Sequence, residues 1–101
     1  MKPAKIFILY RKNQSDNPSY NAYEDQAKKI KKATVNAALM INKNIDIELT
    51  TNESEFRDFD IRREDLPVLI IDNKVVFRKH IPPVEFIKQI LAGPQDQQKY
   101  F

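Results

Sequence analysis

The 101-residue chain contains no cysteine. Disulfides, Cys-ligated zinc, iron–sulfur clusters and thiol catalysis are therefore excluded by composition. It carries one histidine, His80. A single imidazole with no carboxylate pair near it in sequence is a poor start for a metal site, which needs three or four ligands. A surface position is expected for His80, and neither a metal nor a cofactor is expected. No apolar run approaches the length of about 18 residues that marks a membrane-spanning helix. The first five residues lead into only five apolar side chains before Arg11, too few for the apolar region of a signal peptide. The expectation is a cytoplasmic protein with no membrane partner, and the lack of cysteine suits a reducing compartment.

What is present is a globular composition. Hydrophobic residues make up 42% and charged residues 31%, which separates the chain from disordered sequences. The length suits one domain with one core. Net charge is +3, and its distribution is uneven. Residues 1–50 hold nine basic and five acidic side chains, and residues 51–101 hold eight and nine. The excess gathers at Arg11–Lys12 and at Lys28, Lys29, Lys31 and Lys32.

Residues 5–10, Lys-Ile-Phe-Ile-Leu-Tyr, form a short apolar run of β-formers and predict a strand buried on both faces. Residues 11–19 are rich in Asn, Ser and Asp and contain Pro18, which predicts a loop. From 20 to about 42 there is no Gly or Pro. Tyr20, Tyr23, Ala27, Ile30, Thr34, Ala37 and Ile41 recur at spacings of three and four, the mark of an amphipathic helix. Glu24–Lys28 and Asp25–Lys29 are i,i+4 pairs in the favoured order. Ile45, Ile47 and Leu49 alternate with Asp46, Glu48 and Thr50, as in a half-exposed edge strand.

Asn52 or Ser54 is placed to cap a short helix reaching about Arg63, with Phe56, Phe59 and Ile61 on its inner side. Residues 66–71, Leu-Pro-Val-Leu-Ile-Ile, predict another buried strand. Asp72–Asn73 reads as a two-residue turn, and 74–79 as the returning strand, with Val75 and Phe77 on one face and Val76 on the other. Residues 84–91 predict a last helix, ended by Gly93–Pro94. The domain is expected to span 1–93, with a polar tail at 94–101. The order is βαβαββα. The first strands are expected to be parallel, in a four-stranded mixed α/β sheet with helices on both faces.

This order resembles the thioredoxin-like superfamily in its minimal, glutaredoxin-like form. The resemblance is most specific over residues 61–91, with Leu66-Pro67 before four apolar residues, a tight turn, a short strand and a final helix. It implies a cis bond before Pro67. A cis X–Pro bond makes a bend, and the family uses the backbone groups exposed there to pair with an extended peptide or glutathione. The family's redox cysteines would lie in the loop after the first strand. Here that loop reads Lys12-Asn13-Gln14-Ser15-Asp16-Asn17-Pro18-Ser19-Tyr20, with no thiol. A serine hydroxyl forms no disulfide, so oxidoreductase chemistry is excluded, and no enzyme activity is expected. Cysteine-free members of the superfamily act as binding, adaptor or regulatory domains.

The resemblance therefore implies a redox-inert protein-interaction or adaptor module. Its partner surface would comprise Asn13, Gln14, Ser15, Asp16 and Tyr20 in the loop and Leu66 and Pro67 at the bend. Arg11, Lys12, Arg62 and Arg63 would lend that end a positive field. One alternative is a nucleic-acid-associated protein using Lys28, Lys29, Lys31 and Lys32. No aromatic lies beside them for base stacking, so a solvated helix face is the simpler reading. Another alternative is a glutathione or small-molecule binder using Tyr10, Ser15, Ser19 and Tyr20. A homodimer through the 45–50 edge strand is a further expectation. The acids at 58, 60, 64 and 65 interleave with Arg57, Arg62 and Arg63, which reads as exposed ion pairing.

Overall fold

The computed structural model of the chain describes residues 3–11 and 22–93. The elements are β1 (Ala4–Leu9), α1 (Ala22–Met40), β2 (Ile45–Thr50), two 3-10 segments (Glu53–Phe59 and Arg63–Asp65), β3 (Val68–Ile71), β4 (Lys74–Arg78) and α2 (Val84–Ala92). The expected tail at 94–101 and most of the loop after β1 lie outside the described residues. Among the described residues no helix is long and apolar enough to cross a membrane.

The four strands form one mixed α/β sheet in the order β2-β1-β3-β4. β1 and β2 run parallel, with Ile6 opposite Ile47. β3 is antiparallel to β1, with Phe7 opposite Ile70. β4 returns antiparallel to β3. The alternation of β2 is that of an edge: Ile45, Ile47 and Leu49 turn to the core, while Asp46 and Glu48 stay exposed.

Period-2 alternation divides the central strands between two apolar layers. Ile6, Ile8, Leu69 and Ile71 face α1 and α2, meeting Ala27, Ile30, Ala37, Ala38, Ile87 and Leu91. The inner stripe of α1 is built largely of alanine, which lets the helix lie close to the sheet. Its one buried polar side chain, Thr34, donates its hydroxyl to the Ile30 carbonyl at 2.8 Å. The i,i+4 pairs Glu24–Lys28 and Asp25–Lys29 form on the outer face at 3.8 and 3.5 Å.

Both α-helices thus cover the same face. On the other face Leu9, Val68 and Ile70 meet Phe56 and Leu66, with Phe59, Ile61 and Val75 at the margin. The helix expected there is two 3-10 segments instead. The first breaks at Phe56 (φ −120°, ψ 24°) and ends at Asp60, whose φ is 52°. Asn52 stands at its start but makes no side-chain cap; its Oδ1 accepts the Ser54 hydroxyl. So short a stretch gains little from helix propensity alone. Packing holds it instead: the Phe56 ring stacks edge-on to Phe7 at 5.4 Å and to Phe59 at 5.7 Å.

The hairpin differs from the expected alternation. A bulge in β4 sets Phe77 opposite Leu69 and Val75 opposite Ile70. Val76 is the extra residue, so Val75 and Phe77 point to opposite faces. Phe77 packs on the helical side, 5.4 Å from the Phe86 ring, and Val75 on the other. The turn has positive φ at both Asp72 (49°) and Asn73 (66°), the pattern of a type I′ hairpin.

Candidate functional site

The bend before β3 is built by short-range hydrogen bonds. The Asp65 N–H donates to the Arg62 carbonyl at 2.9 Å, and the Leu66 N–H to the Arg63 carbonyl at 3.2 Å. The Arg62 N–H donates in return to Asp65 Oδ2 at 3.2 Å. The Leu66–Pro67 peptide bond is cis. The Lys79 N–H reaches both the Asp65 and Pro67 carbonyls at 2.9 Å, tying the bend to the end of β4. Arg78 completes the clasp, with Nη1 2.7 Å from Asp65 Oδ2 and 3.4 Å from the Asp60 carbonyl.

The Leu66 and Pro67 side chains are both buried. They are not exposed as side-chain contacts. The Leu66 carbonyl accepts no hydrogen bond from any described residue. Asn13, Gln14, Ser15, Asp16 and Tyr20, the remainder of the expected surface, lie outside the described residues, as do Lys12 and Ser19.

Two of the cations expected to give this end a positive field lie near carboxylates. Arg62 lies 3.8 Å from Glu64, and Arg63 lies 3.8 Å from Glu53. Arg11 sits over the Tyr23 ring at 5.4 Å and donates to its hydroxyl at 3.2 Å. Burial pushes the Tyr10 phenol above its ordinary pKa, and the charge of Glu24 adds to the effect.

Asp65 is the most strongly organised carboxylate of the bend. The Arg62 N–H draws its pKa below the ordinary value; partial desolvation opposes this, and Arg78 and then Lys79 reinforce it. Nothing in local sequence spacing marks Asp65 as the partner of Arg78, because 13 residues and the hairpin separate them.

Lys28, Lys29, Lys31 and Lys32 are all exposed on α1. Lys28 and Lys29 are engaged in their helical ion pairs. The same outer face carries Leu39, 73% exposed, with Met40, 64% exposed, beside it. The signal for this was helical spacing: 28, 32, 35 and 39 share one face. His80 is exposed at the end of the hairpin. Among the described residues no three acidic or histidine side chains gather to hold a metal ion.

The open edge of β2 exposes the backbone groups of residues 45, 47 and 49, because the Asn44 and Thr50 carbonyls turn toward β1. Two-fold antiparallel pairing of β2 strands, centred on residues 46–48, sets Asp46 or Glu48 against another carboxylate. Like charges directly opposite destabilise such a pair, which weighs against the edge-strand dimer.

A concavity of about 370 Å³ lies on the face opposite the helices, lined by Leu9, Phe56 and Ile61 and by Glu53, Ser54, Arg57 and Asp60. No family model, curated protein or solved structure matches the chain.

Proposed function

We propose that the chain is a thioredoxin-like domain without redox chemistry, an interaction module that binds an extended protein segment beside the Leu66–Pro67 bend. The observation that carries this reading is the Leu66 carbonyl at the head of β3, which accepts no hydrogen bond among the described residues, within a sheet ordered β2-β1-β3-β4, in a chain that lacks any thiol. A segment lying along the bend would donate a backbone N–H to that carbonyl, as strands do in β-augmentation. The clasp of Asp65, Arg78 and Lys79 would hold the acceptor in place, so little ordering cost would fall on this side of the complex.

The test places a photoreactive amino acid at Glu64, exposed and two residues from Leu66, and in a control at Gln89, exposed on α2. Irradiation in the native host should give a protein adduct from position 64 that survives nuclease treatment and is missing from position 89. Equal adducts from both positions, or adducts lost on nuclease treatment, would overturn the reading.

A further inference from the structure

The outer face of α1 and the concavity on the opposite face of the sheet are complementary. Residues 22–43 carry five lysines against two acids, Glu24 and Asp25. Residues 53–65 carry six acids against three arginines. Neither Lys31 nor Lys32 has a carboxylate partner among the described residues, and neither has Glu55 or Asp58 a cationic one. Shape follows the same division. Leu39 and Met40 stand proud of the sheet's helical side, on the end of α1 beyond the lysines. The concavity on the other side is lined by Leu9, Phe56 and Ile61 together with Glu53, Ser54, Arg57 and Asp60.

We propose that the chain associates head to tail with a second copy of itself. Leu39 and Met40 of one copy seat in the 53–61 concavity of the next, and the α1 lysines face the net-acidic 53–65 segment. The two surfaces lie on opposite faces of one sheet, so the contact is heterologous and leaves a free knob and a free pocket at every step. Such contacts build open chains rather than closed dimers. The apolar pair also separates this occupant from a nucleic acid, since a phosphate backbone rewards the lysines and gives Leu39 nothing to bury against. The contact is small and ionic at its rim, so it is weak and salt-sensitive. It uses no residue of the Leu66–Pro67 bend.

Sedimentation of the full chain tests this. At about 0.01 M salt, where screening extends over about 30 Å, the weight-average mass should climb above the 11.9 kDa monomer with concentration and show no dimer plateau. At about 1 M salt, where that length is about 3 Å, it should return to the monomer. Leu39→Ser leaves the charge unchanged and should weaken association about tenfold or more, by loss of one buried aliphatic contact. Lys31→Glu with Lys32→Glu should be monomeric alone. So should Glu53→Lys with Asp60→Asn, in which asparagine keeps the tolerance for positive φ at 60. An equimolar mixture of these two double variants should associate again, because each now offers the other an opposite charge. A wild type that stays at 11.9 kDa, association that survives high salt, a dimer plateau, or a mixture that stays monomeric would each overturn the proposal.

Discussion

Arg78 holds Asp65 at 2.7 Å, fastening the end of β4 to the bend that precedes β3. Asp65 Oδ2 takes the Arg62 N–H as well, so one carboxylate organises both the turn and its attachment.

This makes acid stability readable at one residue. The folded-state pKa of Asp65 is lowered, so its contribution is complete above the unfolded-state value and is lost as pH falls through the lower folded value. Asp65→Asn should reduce stability at neutral pH, and its difference from wild type should close below about pH 4, the ordinary range of an aspartate. Denaturant midpoints measured from pH 7 to pH 2 check this. A difference that stays constant across that range would contradict it.

Phe56 anchors the non-helical cover of the sheet and is 6% exposed. Phe56→Ala should cost about 3–5 kcal/mol, the usual range for a buried phenylalanine. Phe59→Ala, at the margin of the same layer, should cost less. Urea unfolding followed by circular dichroism would rank the two.

Thr34 behaves differently. Its hydroxyl is buried, but it donates only to the Ile30 carbonyl of its own helix. Thr34→Val keeps the shape and removes the group that needs a partner, and should change stability by less than about 1 kcal/mol. Thr34→Ala opens a cavity and should be clearly worse than valine in the same unfolding assay.

The hairpin turn gives a prediction about conformation alone. Asn73 holds φ at 66°, a region that costs most residues about 1–2 kcal/mol. Asn73→Gly should be neutral or stabilising, and Asn73→Val should lower the thermal midpoint.

The elements with strong periodicity were legible. The spacing of Ala27, Ile30, Thr34 and Ala37 defines the buried stripe of α1, and the alternation of residues 45–50 defines an edge strand, because those patterns are set by the solvent boundary itself. The Asp72–Asn73 turn was legible for the same local reason, since its residue types tolerate the φ values it needs. Two features were not. The segment from 53 to 65 carries caps and acids suited to a helix, yet packing of Phe56 against the sheet and the Ser54 contact of Asn52 leave it as 3-10 turns. The β4 bulge depends on how Val75 and Phe77 divide between two layers, which no strict alternation reveals. At the candidate site the bend was legible in Leu66-Pro67, but its burial and its clasp to Arg78 arise from contacts between residues far apart in the chain.

The unequal covering of the sheet also orders its local openings. On one side α1 and α2 close long ladders of backbone bonds over the strands. On the other, the 53–65 segment is held by short 3-10 turns, with bonds such as Glu55 to Asn52 at 3.3 Å and Asp65 to Arg62 at 2.9 Å. Amide protons there should become exchangeable by local opening around Phe56, whereas those of Ile6, Ile8 and Leu69 should wait for global unfolding. Hydrogen exchange should therefore separate a slow half from a fast half, with the fast amides on the side covered by residues 53–65.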